Sequence, residues 1–341
     1  MEFKKNTQYD VVGMGEVMLR LSTPDKETIS QSEVFIKNAG GSELNVVSGS
    51  AMLGLNNTFI TKIPDSKIGN FIKNKIRFGH VCDNFIITDT SKCSRVGIYY
   101  YESGAYPRKS SVQYDRENTS INSLSVSEIN PDIFSDTKIF HISSITTALS
   151  KNLRKTIIDT IKEFKENGAK ISFDVNYRSA LWSEDEAREV IESILPMVDL
   201  LFVSEETSRR MFKKKGNIEH IMAEFQEEYG CELIATTRRE VISPTRHNFT
   251  SIIYYNGEYY SENQYENIEV VDRIGSGDAY VAGVLFGLVK FNDCHRALQT
   301  GNALSSAKNT VVGDMALFSY KEIENIISSH SDESNNTEME R

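Results

Sequence analysis

The sequence predicts an α/β protein whose core is a mostly parallel sheet flanked by helices. Short β-rich runs begin at residues 138, 170, 198 and 232, with amphipathic helical stretches between them, which is typical of βαβ units. The runs are apolar almost throughout, as expected for strands covered on both faces. A hydrophobic fraction of 39%, including 17 Phe and 15 Tyr, supplies the residues for a sizeable core. These observations favour a large folded α/β unit over a disordered chain.

Each predicted element carries its own signal. Residues 152–166 place their apolar side chains on one helical face, and residues 184–195 form a second helical stretch. A hairpin is expected over residues 251–260, because Asn256-Gly257 is a favoured two-residue turn. The predicted strands of the main sheet are residues 9–14, 57–63, 138–142, 170–175, 198–203 and 232–236.

Two segments interrupt this alternation of strands and helices. Residues 16–38 and 94–118 contain β-rich runs with no helix between them, and we expect them to form a small antiparallel sheet that projects as a lid. The tail, residues 328–341, is rich in Ser, Asn and Glu and is predicted to be disordered. The α/β core would then comprise residues 1–15, 39–93 and 119–327.

Charge and cysteine spacing exclude several classes of protein. The net charge is −10 and no basic block occurs, so neither nucleic acid nor a membrane surface is expected as the main partner. The first ten residues are polar and no apolar run approaches 18 residues, so no signal peptide or spanning helix is predicted. Cys82, Cys93, Cys231 and Cys294 form no C-x-x-C pair, which favours reduced thiols and a cytoplasmic location.

The segment D-R-I-G-S-G-D, residues 272–278, carries the strongest chemical signal. Gly275 and Gly277 precede an apolar helical pattern and let backbone N–H groups converge where the helix dipole favours an anion. Asp278 falls in the first helical turn, where a carboxylate would repel a bound phosphate. Its presence there is explained by a general base that takes a proton from an attacking hydroxyl. Taken alone, the segment could also be an ordinary helix start capped by Ser276 or Asp278.

A second glycine-rich segment, N-A-G-G-S-E-L-N over residues 38–45, also leads into a helical pattern. Paired glycines with polar neighbours can approach a polyhydroxylated ligand closely, although a plain helix entry has the same composition. Other phosphate motifs are absent from the sequence. It contains no G-x-x-x-x-G-K-[ST], and neither Gly13-Met14-Gly15 nor Gly275-Ser276-Gly277 has the third glycine of the dinucleotide fingerprint.

Together, in this order and separation, the two segments resemble the two signatures of the PfkB, or ribokinase-like, carbohydrate kinases. The resemblance spans residues 9–327, with Arg273 and Ser276 departing from the family pattern D-T-x-G-A-G-D. It implies a Rossmann-like α/β core with a β-sheet lid. It also implies that Asp278 is the base and that the N–H groups of Gly275, Ser276 and Gly277 stabilise the transferred phosphoryl group.

The resemblance extends to binding residues. The sugar pocket that it implies is lined by Gly41, Ser42, Glu43, Leu44, Asn45, Tyr99, Tyr114, Arg116, Arg178 and Asp314. The nucleotide contacts that it implies are Asn176, Arg178, Ser204, Thr236, Arg238, Gly275, Gly277 and Asn302. Where many members of the family have N-x-x-E, this chain has S-E-E-T over residues 204–207. The resemblance implies that Glu205 or Glu206 would position magnesium through water. The family's glycine-containing loop reads T-R-R-E-V here, over residues 237–241.

Other stretches resemble the 2-keto-3-deoxygluconate kinases within this family, among them D-V-N-Y-R over residues 174–178. The expected reaction is ATP-dependent phosphorylation of the 6-hydroxyl of that sugar acid, with Mg²⁺ and, as a further possible cofactor, a monovalent cation. Arg178 would pair with the substrate carboxylate from a buried position, or serve the ATP phosphates instead. The alternatives are a kinase of fructose, ribose or a related keto-deoxy acid, and a non-catalytic sugar-binding regulator. A homo-oligomer formed through the lid is also expected.

Overall fold

The computed structural model of the chain describes residues 1–331, which form one large and one small sheet. The strands are β1 (Tyr9–Met14), β2 (Met18–Ser22), β3 (Ile36–Gly40), β4 (Asn57–Pro64), β5 (Ile86–Asp89), β6 (Gly97–Glu102), β7 (Ser111–Asp115), β8 (Thr137–Ser143), β9 (Lys170–Asp174), β10 (Leu200–Phe202), β11 (Leu233–Ser243), β12 (Arg246–Tyr255), β13 (Glu258–Ser261) and β14 (Tyr265–Glu269). The helices are α1 (Ser42–Met52), α2 (Lys67–Phe78), α3 (Asp132–Ser135), α4 (Ser144–Ala148), α5 (Lys151–Glu166), α6 (Glu184–Ile194), α7 (Glu205–Arg210), α8 (Ile218–Tyr229), α9 (Ser276–Phe291), α10 (Cys294–Asn309) and α11 (Tyr320–Ser331).

The large sheet has ten strands in the order β13-β12-β11-β10-β9-β8-β1-β4-β5, with β14 also paired to β12. All pairs from β11 to β5 are parallel, and the β12 pairs are antiparallel. The predicted fold class, an α/β core with a mostly parallel sheet and a second small sheet, is therefore confirmed. In such sheets ligands bind at the carboxyl ends of the strands.

Adjacent strand residues alternate between two hydrophobic clusters, one on each face of the sheet. Val11 belongs to the cluster that contains α1, α9 and α10, whereas Val12 belongs to the cluster that contains α5, α6 and α8. Leu233 and Ile234 divide in the same way. Burial on both faces explains why these strands are almost continuously apolar.

The small sheet has the order β3-β2-β6-β7 and comes from the two segments that the sequence singled out. The prediction that it is antiparallel throughout is wrong, because its central pair, β2 and β6, is parallel. Each segment contributes a separate antiparallel pair, and the two pairs join side by side with their inner strands running in the same direction. In addition, β3 extends to Gly40, two residues beyond the predicted boundary of the lid.

The structure confirms the predicted hairpin and contradicts part of the predicted disordered tail. The hairpin turn at Asn256-Gly257 is confirmed, and both residues have positive φ, at 51° and 84°. The disorder predicted from residue 328 is wrong for residues 328–331, because α11 continues to Ser331 and buries Ile323 and Ile327 against the core. The rest of that predicted tail lies outside the described residues. Across the described part of the chain, no helix is both long and apolar enough to cross a bilayer.

Candidate active site

The turn before α9 is shaped by a glycine and a carboxylate. Gly275 has a φ of 83°, and a Cβ there would lie 1.8 Å from the carbonyl oxygen of Asp314, so only glycine fits. The Asp272 carboxylate accepts hydrogen bonds from the backbone N–H groups of Ile274 and Gly313, both at 3.1 Å. These contacts hold the start of α9 against the segment that contains Asp314.

The start of α9 offers backbone donors where the sequence predicts an anion site, with one difference. Among the described residues, none accepts a hydrogen bond from the N–H of Gly277, and no heavy atom lies within 4 Å of a Cβ built there. The N–H of Ser276, in contrast, donates to the carbonyl oxygen of Arg273 at 3.2 Å. The prediction for Ser276 is therefore corrected, because the turn that places Gly275 occupies this donor. Gly277 remains a free donor at the positive end of a 16-residue helix.

Asp278 is a buried carboxylate held in place by α1. The Ser42 hydroxyl donates to its Oδ1 and the Asn45 amide donates to its Oδ2, both at 2.7 Å. Asn176 in turn donates a hydrogen bond to Ser42 Oγ at 3.2 Å. Burial raises the pKa of Asp278, while the hydrogen bonds from Asn45 and Ser42 and the charge of Arg178 act against this rise. The two glycine-rich motifs thus meet at a fixed carboxylate.

A cavity of about 320 Å³ lies at the carboxyl ends of β9 and β10 and beside β11, and Gly277, the residue before Asp278, is in its lining. Its size is within the range of small-ligand sites. Its lining contains four of the predicted nucleotide residues, Asn176, Arg178, Ser204 and Gly277. The Ser204 hydroxyl also caps α7 by accepting from the N–H of Thr207 at 3.1 Å. Because Gly277 is in its lining, the cavity reaches the start of α9.

Arg178 lies at the mouth of this cavity and differs from its prediction. It is exposed, whereas a buried guanidinium was expected, because the chain leaves the sheet after Asp174 and reaches Arg178 in a surface loop. Its Nη1 donates only to the carbonyl oxygen of Tyr177, at 3.1 Å, and no carboxylate in the described residues pairs with it. Asp174 also lines the cavity, and burial together with the charge of Asp278 raises its pKa to about 8.

A buried ion-pair network joins the small sheet to the core. The Arg20 guanidinium contacts the carboxylates of Asp314 and Asp272, at 2.7 Å and 2.6 Å. The Tyr99 hydroxyl, on the neighbouring strand, also donates to Asp314. Arg20 was missed by the sequence analysis, although a single arginine between apolar residues of a short strand was a visible signal. Asp314 and Tyr99 are both buried in this network.

A second ion pair supports the edge of the small sheet. Arg116 donates from Nη2 to Glu16 Oε2 at 2.5 Å, and Thr119 donates to Glu16 Oε1 at 2.6 Å. Tyr114 is exposed on β7, beside both Arg116 and Tyr99. Arg116 therefore already has a carboxylate partner, Glu16, that the sequence analysis missed.

Comparison with known proteins shows to which family the chain belongs. The sequence matches the pfkB family of carbohydrate kinases over residues 8–319. The chain belongs to that family. The family predicted from the two motifs, and with it the assignment as a carbohydrate kinase, is confirmed.

Similar proteins cover this carbohydrate kinase almost from end to end. It is 33% identical to a 2-dehydro-3-deoxygalactonokinase of Haloferax volcanii, over 93% of this chain and 96% of that one. A crystal structure of 2-dehydro-3-deoxygluconokinase from Thermotoga maritima has a TM-score of 0.90 and 32% identity, over 94% of this chain and 98% of the other. A PfkB carbohydrate kinase from Listeria grayi has a TM-score of 0.88 and 30% identity, with 94% and 99% covered.

Of the predicted sugar-pocket residues of this kinase, Arg178 lines the cavity, whereas Leu44 and Glu43 are enclosed within the protein. Leu44 is fully buried in the hydrophobic core because it is on the face of α1 that packs against the sheet. Glu43 is also buried, and its Oε1 accepts from the N–H and the hydroxyl of Ser143, at 3.0 Å and 2.7 Å. A Cβ at Gly41 would lie 2.1 Å from the carbonyl oxygen of Glu16, so this glycine allows a close approach to the protein's own backbone, and its contact with a sugar stays a prediction.

Three of its predicted nucleotide contacts are engaged elsewhere. The Thr236 hydroxyl is buried and donates to the carbonyl oxygen of Val203, so Thr237, the next residue, lines the cavity instead. Asn302 is fully buried, where it donates to Glu262 and accepts from Ser251, both at 2.7 Å. Arg238 is exposed and pairs with Glu205 at 3.3 Å. The segment around it is not a loop, because β11 continues through it to Ser243.

The two predicted magnesium residues differ in what they can offer. Glu205 is paired with Arg209 and Arg238, and these arginines lower its pKa. Glu206 is exposed and lines the cavity, although it also pairs with Arg210 at 2.9 Å. Among residues 1–331, no three His, Cys, Asp or Glu side chains cluster as a metal site. One accessible carboxylate beside a phosphate site fits Mg²⁺, which is commonly held by one or two carboxylates and the substrate phosphates.

Proposed function

We propose that this carbohydrate kinase transfers the γ-phosphoryl group of ATP to the 6-hydroxyl of a 2-dehydro-3-deoxy sugar acid, with 2-dehydro-3-deoxygluconate as the first candidate. The observation that carries the proposal is the position of Asp278. Its buried carboxylate lies at the first turn of α9, hydrogen-bonded to the glycine-rich segment, and the preceding residue, Gly277, lines the cavity.

In this reaction Asp278 acts as the general base. Its carboxylate takes the proton of the 6-hydroxyl as the 6-oxygen forms a bond to the γ-phosphorus. The bond from that phosphorus to the β,γ-bridging oxygen then breaks, and ADP leaves. The raised pKa of Asp278 supports this role, because a stronger base removes a hydroxyl proton more effectively. Its two hydrogen bonds keep the carboxylate oriented while the substrate binds.

The start of α9 stabilises the charge of the transferred group. Among the described residues, no acceptor contacts the N–H groups of Gly275, Gly277 and Asp278, and the helix dipole adds to their effect. Mg²⁺ bound to the ATP phosphates would neutralise negative charge there, with Glu206 as the carboxylate that faces the cavity. The monovalent cation stays a prediction.

Two observations support a sugar acid as the substrate. Arg178 is a cation at the cavity with no carboxylate partner among the described residues, so it is available for a substrate carboxylate. The proteins similar to this chain include kinases whose names specify the gluconate and the galactonate form of the same keto-deoxy acid. These two acids differ only in the configuration at C4. The galactonate form is therefore the second candidate.

The proposal also concerns the small sheet and the setting of the enzyme. We infer that the small sheet closes over the sugar and excludes water, since Arg20 and Tyr99 of that sheet contact Asp314, whose carbonyl oxygen lies against Gly275 at the start of α9. A cytoplasmic location is supported by the four cysteines, none of which is paired.

One assay tests the substrate. Purified protein with ATP and Mg²⁺ is given 2-dehydro-3-deoxygluconate, its C4 epimer, fructose and ribose in turn, and ADP release is followed. We expect the highest kcat/KM with one of the two acids, and the position of the phosphate is read by ³¹P and ¹³C NMR of the product. A preference for a neutral sugar would contradict the sugar-acid assignment, and no turnover with any sugar would favour a non-catalytic regulator.

A further inference from the structure

Two arginines that have no assigned role, Arg239 and Arg273, are near in sequence to residues that line the cavity. Arg239 is in β11, two residues beyond the cavity-lining Thr237, so the two side chains share a face of the strand. Phe249 is directly opposite Arg239 in β12, and its ring contacts Tyr280 of α9 with centroids 6.0 Å apart. The face that carries Arg239 is therefore the one directed toward α9. Arg273 is in the turn before that helix, four residues ahead of the cavity-lining Gly277.

Geometry and charge both relate the two arginines, since Arg239 is on the strand face directed toward α9 and Arg273 is in the turn before that helix. Burial lowers the pKa of Arg239, the charge of Arg273 lowers it further, and Glu206 opposes this change. His247 is on the same face of the hairpin, and its pKa is lowered to about 4 by burial and then by the same two arginines. His247 is therefore neutral at physiological pH, and the local positive charge comes from Arg239 and Arg273.

Neither guanidinium has an acceptor in the part of the chain that the structure describes. No ion pair or side-chain hydrogen bond joins Arg239 or Arg273 to a carboxylate there, whereas the adjacent Arg238 pairs with Glu205. Two neighbouring cations without an anion repel each other, and a bound anion would remove this repulsion. Guanidinium groups bind phosphate with two parallel hydrogen bonds, which a solvated lysine does not.

We propose that Arg239 and Arg273 form a clamp for the phosphate groups of the nucleotide. The clamp takes the place of the glycine-containing loop that β11 replaces in this chain, and Arg273 is one of the departures from the usual motif. This inference rests on the proposed function for the identity of the nucleotide as a phosphoryl donor. It adds two residues that position the phosphates beside the Gly277 N–H.

Binding measurements on the full chain test the clamp directly. The variants are Arg273→Thr, Arg239→Gln and Arg273→Lys, with Arg246→Gln as the matched control, since Arg246 is an exposed arginine of the same hairpin. Affinities for Mg²⁺ with a non-hydrolysable ATP analogue, for AMP and for adenosine are measured by calorimetry at two salt concentrations.

We expect Arg273→Thr and Arg239→Gln each to weaken binding of the ATP analogue on the order of tenfold, with a smaller loss for Arg273→Lys. Adenosine affinity and the control variant should be unchanged, and the wild-type preference for the analogue should decline as salt rises. Equal losses for adenosine, or no loss for the analogue, would overturn the clamp while wild-type binding leaves the proposed function intact. A wild type that binds no adenine nucleotide would overturn the proposed function itself.

Discussion

The Ser42 hydroxyl donates a hydrogen bond to Asp278 Oδ1 at 2.7 Å, although the two residues are 236 positions apart in the sequence. Ser42 is the first residue of α1 and Asp278 lies in the first turn of α9, so the contact joins the starts of two helices. Asn45 reaches the second carboxylate oxygen from the next turn of α1. Ser42 and Asn45 of the first glycine-rich segment therefore orient the proposed base before any ligand binds.

Replacing Asp278 by Asn should remove most of the activity and leave nucleotide affinity nearly unchanged. The side chain keeps its shape but cannot accept the hydroxyl proton, and loss of a general base costs on the order of 10²–10⁴-fold in kcat. Steady-state kinetics and calorimetry with an ATP analogue check both parts. Asp185→Asn, an exposed aspartate on α6, is the control and should keep full activity. Near-normal turnover of Asp278→Asn would show that the base is a different group.

Replacing Arg20 by Met should strongly destabilise the protein. Arg20 is the buried cation between Asp314 and Asp272, and its removal leaves two carboxylates in a low-dielectric environment. Breaking a buried ion pair in this way typically costs about 3–5 kcal/mol in free energy of unfolding. Chemical denaturation measures the loss. Arg108→Met, which removes an exposed pair with Glu102, should cost less than about 1 kcal/mol. Similar losses in the two variants would contradict the structural role of Arg20.

Glu43 should make the protein less stable as pH rises. Burial raises its pKa from 4.5 to about 7, partly offset by hydrogen bonds from Ser143, so the folded state binds this proton more tightly than the unfolded state. Its contribution to the free energy of unfolding is therefore fully present below pH 4.5 and is lost as pH rises through 7.

The variant Glu43→Gln tests this effect, because it cannot ionise and keeps an oxygen acceptor for Ser143. Denaturation midpoints are measured for the wild type and the variant between pH 5 and 8. We expect the variant to gain stability relative to the wild type across this range, by up to about 3 kcal/mol at pH 8. Parallel pH profiles would mean that Glu43 is ionised throughout.

Replacing Arg178 by Ala should reduce the use of a sugar acid more than that of a neutral sugar. A charge-assisted pair is worth about 1.5–3 kcal/mol, so kcat/KM for 2-dehydro-3-deoxygluconate should fall about 10- to 100-fold. Fructose or ribose has no carboxylate and should be affected less. Kinetics with both classes of substrate decide the matter. Equal losses would assign Arg178 to the ATP phosphates and remove the argument for a sugar acid.

The small sheet should mediate association of two copies of the chain. The sequence argument rested on residues 96–101, but Val96, Tyr99 and Tyr101 are buried, and the exposed apolar side chains are found elsewhere in this region, among them Phe35 and Val112. Light scattering at micromolar concentration should give the mass of a dimer, because apolar faces of this kind are seldom left in water.

Charge placed on this surface should prevent association. Val112→Asp is expected to shift the protein to a monomer, whereas Phe78→Asp, at an exposed apolar position on α2, should not. A wild-type protein that is strictly monomeric would remove the proposal.

The sequence by itself determined the fold class and singled out Asp278, the carboxylate that we propose as the base. Continuous apolar strands can be buried only between two layers of helices, so their spacing indicated the parallel sheet. Gly275 and Gly277 beside Asp278 are residues whose chemistry is local, since φ, the helix dipole and the first helical turn depend on a few neighbouring positions. Such features can be read without knowing what packs against them.

The tertiary structure decided which polar residues are available to a ligand. Asn302, Thr236 and Glu43 have suitable chemistry, but each donates or accepts a buried hydrogen bond within the protein. Arg20 lies 294 positions from Asp314, and only folding shows that it neutralises this carboxylate. Pairings between distant segments depend on how the two sheets are placed against the helices, and no local pattern in the chain specifies them. For that reason the sequence identified the chemistry, whereas the structure assigned the partners.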